Sequence, residues 1–247
     1  YIEVNMMEIE KWLNDVLEKK NKRAMPIITF PAATKLNISV KKLINDTDQQ
    51  VAALKIIKEE CNPLAILGFM DLSVEAECFG AEIKVTDNEV PTVVGQLIED
   101  EDDAQALKVP AVGSGRSQLY IDAIKKTKAE IKDIPILGGC IGPFSLAGRL
   151  MDVSEAMINC YEEPEMVHIV LEKATKFLID YISAYKEAGA DGILMAEPLA
   201  GVLSPVLATE FSSTYVKKIV TAVQDENFMV VYLSLIHISE PTRLRRI

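Results

Sequence analysis

PEMVHIVLEKATKFLIDYISAYKEAGADGILMAEPLAGVLSPVLATEFSSTYVKKIVTAVQDENFMVVY, residues 164–232, decides the fold class. Pro164 sits at a helix start, and Val167, Val170, Leu171, Ala174, Phe177, Leu178, Tyr181, Ile182 and Tyr185 recur at helical spacing until Gly189 ends the pattern. GILMAEP (192–198) then reads as a buried strand. Ser204-Pro205 caps a second helix carried by Leu207, Phe211, Tyr215, Ile219 and Val223, and FMVVY (228–232) is another strand. Strand, helix and strand with short connections make parallel βαβ units, hence an α/β fold.

Upstream, the same order continues with weaker signals. PILGGC (135–140) and LAILGFM (64–70) read as buried strands, and MPIITF (25–30) as a shorter one ended by Pro31. Residues 81–98 alternate like a hairpin, and EDEDDAQAL (99–107) suits a helix start, where negative charge meets the helix dipole. An amphipathic helix is expected over 7–20, with Ile9, Trp12, Leu13, Val16 and Leu17 on one face, and another from Ser39 to about Glu60. The count is about five barrel-like strands, fewer than the eight that close a (β/α)₈ barrel.

The 247 residues carry 26 Lys+Arg against 37 Asp+Glu, a net charge of −11, which does not fit a nucleic-acid binder. The longest uncharged stretch, Ile134 to Gly148, is too short and too broken by Pro135, Pro143 and its glycines to span a bilayer. Cys61, Cys78, Cys140 and Cys160 stand far apart with no CxxC, so they read as reduced core thiols of a cytoplasmic protein. Neither end reads as native: YIEVN (1–5) has the look of upstream read-through, and LSLIHISEPTR (233–243) resembles a translated sequencing-library adapter. The expected division is 1–5 read-through, 6–232 partial barrel domain and 233–247 non-native tail. A barrel cut there is expected to leave an unpaired parallel edge and half of its apolar interior exposed.

In parallel α/β folds, sites lie at the carboxyl ends of strands. Strand 64–70 ends in Met70-Asp71-Leu72-Ser73, with a carboxylate at the rim. Strand 135–140 runs into Gly142-Pro143-Phe144-Ser145, a turn opening a helix whose backbone N–H groups suit an anion such as a propionate or phosphate. Strand 192–198 ends in Glu197-Pro198. Singly, each acid also reads as a helix cap; successive βα units bearing such ends are a stronger signal.

MDLSVEAECFGAEI (70–83), GGCIGPFSLAGRL (138–150) and residues 190–220 resemble the uroporphyrinogen decarboxylase superfamily, closest to its corrinoid-dependent methylcobamide:coenzyme M methyltransferase branch. The resemblance implies a (β/α)₈ TIM barrel of which this chain is an incomplete N-terminal portion. Asp71 matches the decarboxylase aspartate beneath the pyrroles. The carboxylate-binding arginines of decarboxylases have no counterpart, however: FPAATKLNIS (30–39) has Lys35 as its only cation, and Arg149 stands where those enzymes place a tyrosine. The methyltransferase branch implies Zn²⁺ held by a His-x-Cys after Tyr232 and a later Cys, a corrinoid (methylcobamide) delivered by a partner corrinoid protein, and a small-molecule methyl donor or acceptor. The sequence after Tyr232 shows no such motif, and His237 is set aside as a ligand. The resemblance therefore implies Asp71 and Glu197 as catalytic candidates and Gly142, Pro143, Phe144, Ser145 and Arg149 as corrinoid- or substrate-binding candidates, with Glu197 also placed to touch a metal. A tetrapyrrole decarboxylase and a non-catalytic tetrapyrrole- or corrinoid-binding protein are the competing readings.

Other residues receive blander roles. His168 reads as a packing or surface residue. GSGRS (113–117) lacks the preceding strand and the lysine of a phosphate loop and reads as a flexible connection. The EDEDD run is a solvated helix start, and Met70, Met195 and Met229 fill core space.

Overall fold

A computed structural model describes residues 8–234 of the chain. Expectations for 1–7, for His237 and for the rest of the tail from residue 235 lie outside the described residues. In chain order the elements are α1 (Ile9–Glu18), α2 (Ala32–Leu36), α3 (Val40–Ile44), α4 (Thr47–Cys61), β1 (Ile66–Leu67), α5 (Val74–Phe79), β2 (Glu82–Lys84), β3 (Thr92–Val94) and α6 (Glu101–Ala106). They continue with α7 (Ser117–Glu130), β4 (Ile136–Ile141), α8 (Pro143–Met151), α9 (Val153–Glu162), α10 (Pro164–Glu187) and β5 (Gly192–Ala196). After a short 3₁₀ turn come α11 (Pro205–Ala208), a π-helical turn (Thr209–Ser213), α12 (Thr214–Val223) and β6 (Met229–Leu233).

The main sheet is four-stranded and parallel, in the order β1-β4-β5-β6, and β2 pairs antiparallel with β3 as the hairpin expected over 81–98. The α/β class and the parallel sheet stand, and the arrangement is that of part of a TIM-like barrel.

Two expectations change. MPIITF is not a strand: among the described residues the segment has no ladder, and only Ala24 O, accepting from Leu64 N at 2.7 Å, ties its start to the chain before β1. Ile27 and Ile28 are exposed, so apolar character there did not secure a place in the sheet. The helix from Ser39 to Glu60 is two helices, because Asp46 accepts from Asp48 N and Gln49 N and so starts α4 afresh.

Register assigns the faces of the sheet. Leu137, Gly192 and Met229 are aligned, and Leu67, Leu137, Leu194 and Met229 form one apolar cluster with Ile9 of α1, against which Trp12 packs. α1 therefore packs on that face of the sheet. On the other face Ile136, Cys140, Ile193 and Met195 join the larger core with Phe144 and Leu146 of α8, Phe177, Tyr181 and Tyr185 of α10, and Ile219 of α12. Gly138 and Gly192 allow this closeness, since a Cβ on Gly138 would press on Ile193 and Tyr185 and one on Gly192 would collide with Met229. Among the described residues no helix is long and apolar enough to cross a membrane.

Candidate functional site

Asp71 follows β1 and is buried, 4% exposed. Its Oδ2 accepts from Arg116 Nη1 and from the Tyr120 hydroxyl at 2.8 Å. Its Oδ1 accepts from Ser73 Oγ at 2.6 Å and Ser73 N at 3.2 Å. Arg116 directs its remaining nitrogens to Ser73 Oγ at 2.9 Å and Glu77 at 2.8 Å. Burial opposes the guanidinium charge, but Asp71, Tyr120 and Glu77 outweigh it and hold Arg116 protonated, while burial and then Asp71 push the Tyr120 phenol well above its usual range. The cluster fastens the end of β1 to the start of α7.

Arg116 comes from GSGRS, so that stretch is a docked loop and not a flexible connection. Gly113 (φ 96°) and Gly115 (φ 52°) take left-handed conformations that turn the chain so that Arg116 and Ser117 are buried. In the sequence Arg116 shows only as an arginine that directly follows Gly113-Ser114-Gly115.

Glu197 is completely buried one residue beyond β5. Its Oε2 accepts from Phe144 N at 3.0 Å and its Oε1 from Ser145 N at 2.6 Å. These are the free N–H groups of the first turn of α8, so the anion met by the Gly142–Ser145 turn in this structure is Glu197 itself. Pro143 occupies the first helical position, where a missing N–H costs nothing, and a Cβ on Gly142 would collide with the Glu197 carboxyl. Burial pushes the Glu197 carboxyl up to about 7 against the lowering effect of Ser145, Phe144 and Ser212.

A third acid escaped the sequence reading. Glu75, in the first turn of α5, is buried; its Oε1 accepts from Ile141 N at 2.9 Å, and its Oε2 has no partner. Burial, with a smaller contribution from Asp71, raises its carboxyl to about 7. Glu75 and Glu197 thus grip the β4–α8 junction from α5 and from β5. The spacing of Glu75 from Asp71 was visible, but not the unpaired N–H at the end of β4 that it serves.

Arg149 lies in the last turn of α8, half-buried, about 9 Å along the helix from Pro143. It has no ion-pair partner among the described residues, and the structure does not bring it to Glu197 or Asp71. His168 stacks on Phe211 at 4.7 Å and bonds the Tyr215 hydroxyl through Nδ1 at 2.7 Å, a packing role. Cys61 is exposed, not a core thiol; the end of α4 carries it to the surface. Cys140 is fully buried, and burial followed by the Glu75 and Glu197 charges raises its thiol well above the usual range. Burial likewise raises the thiols of half-buried Cys78 and of Cys160 to about 11. Among the described residues no group of His, Cys, Asp and Glu is arranged to hold a metal ion. A cleft of about 300 Å³ opens beneath α1 at the opposite ends of the strands, lined by Trp12, Asp15, Lys132 and Asp191 among others, and none of the rim acids reaches it.

The family profile described as uroporphyrinogen decarboxylase (URO-D) matches residues 22–240. The methylcobamide:CoM methyltransferase MtbA of Methanosarcina acetivorans is 32% identical over 160 residues, 63% of this chain and 47% of that protein. A uroporphyrinogen decarboxylase of Coxiella burnetii is 29% identical over 168 residues, 64% of this chain and 45% of that protein. The chain spans about half the length of these curated relatives. Among solved structures, a methyltransferase from Methanosarcina mazei shares the fold with a TM-score of 0.80 at 24% identity, over 93% of this chain and 69% of that one.

Proposed function

The chain belongs to the uroporphyrinogen decarboxylase family, and on that premise we propose that it represents an enzyme of the family's methyl-transfer branch, moving a methyl group between a corrinoid and a thiol or similar acceptor. In this reading a corrinoid protein is the partner and the enzyme works in the cytoplasm. The observation that carries the choice against porphyrinogen decarboxylation is the fate of Lys35. It is the only cation of residues 30–39, its side chain is 59% exposed, and Nζ pairs with Glu60 at 3.1 Å on the surface. No cation of that stretch gathers at the rim to receive a polycarboxylate. Asp71 supports the same choice, because both of its oxygens are already engaged. The relative at 32% identity, a methylcobamide:CoM methyltransferase, agrees with it.

The described residues do not fit zinc. Their single histidine, His168, is engaged with Tyr215, and their buried thiols are held protonated. What the chain's own residues do is position. Asp71 with Arg116 fixes the end of β1, Glu75 fixes the last N–H of β4, and Glu197 fixes the first turn of α8. Gly142 and Pro143 give that turn its shape, whereas Arg149, in the last turn of α8, stands away from it.

The test uses the full-length protein. Methylcobalamin is supplied with a thiol acceptor and demethylation is followed by absorbance, while uroporphyrinogen is supplied in a parallel reaction. Demethylation without decarboxylation is expected. Decarboxylation, or neither activity, overturns the proposal in favour of one of the competing readings.

A further inference from the structure

The cleft of about 300 Å³ beneath α1 takes no part in the rim. It opens between α1, the chain that leaves α1, and the connections that lead into β1 and β4. Its more buried lining is apolar, supplied by Val16, Leu64, Ile134 and Pro135. Trp12 lines it as well, half-buried and packed against the apolar cluster that α1 shares with the sheet. A concave apolar surface with a few converging polar groups is the usual form of a small-molecule site.

The charges around this cleft do not cancel. Two of its acids are committed: Asp133 Oδ1 accepts from Lys58 Nζ at 2.5 Å, and Asp191 accepts from Lys128 Nζ at 2.6 Å and from Ile136 N at 2.8 Å. Lys22 Nζ donates to Val16 O and Leu17 O at 2.6 and 2.8 Å, which serves the end of α1 and fixes the turn out of it. Lys19, Arg23 and Lys132 remain, exposed and without a carboxylate partner among the described residues. The Arg23 guanidinium meets only the neutral amide of Asn62, at 3.1 Å. Against these three cations stands one uncommitted acid, Asp15, so the cleft holds a surplus of two positive charges in a chain of net charge −11.

We propose that this cleft binds a nucleoside monophosphate, its base against Trp12 and the apolar lining and its phosphate on Lys19, Arg23 and Lys132. A phosphate monoester carries about two negative charges at pH 8, which matches the surplus. The guanidinium and the two ammonium groups suit phosphate oxygens, a flat ring suits the indole, and Asp15 is an acceptor for ribose hydroxyls. Because the cleft stands at the opposite ends of the strands from Asp71 and Glu197, its ligand is an effector and not the substrate of the rim.

The test is calorimetric titration of the full-length protein at pH 8 and low salt with adenosine monophosphate, adenosine and inorganic phosphate. The monophosphate is expected to bind about tenfold tighter than adenosine or phosphate alone, since it uses both the ring and the charges. It should also quench tryptophan fluorescence, and that quenching should vanish in Trp12→Phe. Arg23→Gln and Lys132→Gln, at exposed positions that leave the fold intact, should each weaken binding about two- to fivefold, and together about tenfold. Absence of binding, affinity unchanged in the double variant, or adenosine or phosphate binding as tightly as the monophosphate overturns the proposal.

Discussion

Glu75 and Glu197 are both buried and both raised to about 7, yet replacing each by glutamine is expected to have different consequences. The folded chain holds a proton that the unfolded chain, with ordinary carboxyls near 4.5, releases. Stability therefore falls as pH rises from about 4.5 to 7 and is level above that. For each acid the loss amounts to about 3 kcal/mol once both states are ionised. Glutamine carries no charge and escapes it. At Glu75 the amide oxygen can keep Ile141 N, and the amide nitrogen falls where Oε2 now has no partner. Part of the relief is lost to that unmatched nitrogen, leaving Glu75→Gln more stable than the parent at pH 8 by about 1–2 kcal/mol. At Glu197 both oxygens are acceptors, and an amide nitrogen must face Phe144 N or Ser145 N, donor against donor, at a cost of about 1–3 kcal/mol at every pH. Thermal melts at pH 5 and pH 8 decide. Glu75→Gln should melt about 2–6 °C above the parent at pH 8, and Glu197→Gln below it at pH 5, where there is no charge to relieve. A Glu197→Gln protein as stable as the parent at pH 5 would refute the two-acceptor clamp, and a less stable Glu75→Gln protein at pH 8 would refute the free oxygen.

Arg116→Met leaves Asp71 buried without its cation and should cost about 3–5 kcal/mol in urea unfolding. Arg116→Lys should recover little of this, since an ammonium cannot serve Asp71, Ser73 and Glu77 from one planar fork; full recovery would show that the charge alone matters. Gly142→Ala sets a methyl against the Glu197 carboxyl and should lower stability by about 1–3 kcal/mol. Hydrogen exchange should localise the damage to the amides of Phe144 and Ser145, and unchanged protection there would mean that the clamp has room to spare.

Sequence reading succeeded where one periodic pattern ran long enough to outvote local noise. The 24-residue α10, the fully buried β4 and β5, and the Ser204-Pro205 cap were all visible in this way. It failed where tertiary context set the outcome. MPIITF has strand composition but finds no ladder, and residues 39–60 have helical composition interrupted by a capping aspartate. Arg116 was hidden for a different reason: an arginine among glycines and serines gives no local sign that an aspartate and a glutamate lie folded against it. Glu75 was hidden because a helical glutamate looks solvated unless one knows which strand ends beside it.

Asp71 and Glu197 raise a more general point about acids at strand ends. Position, together with the family resemblance, marked them as catalytic candidates, since both stand where α/β folds gather their chemistry. The discriminating observable is the number of donors that each oxygen already serves. Asp71 serves Arg116, Tyr120 and Ser73, Glu197 serves two backbone N–H groups, and both side chains are buried, so neither carboxylate opens toward a ligand. Such acids place the ends of β1, β4 and β5 and the axis of α8 to within a hydrogen bond's tolerance, as a site must be held before it can act. Their substitution should therefore act first on stability and amide protection, and on turnover only through the displaced rim. An acid that met the substrate directly would show the reverse order, losing turnover in a protein that melts normally.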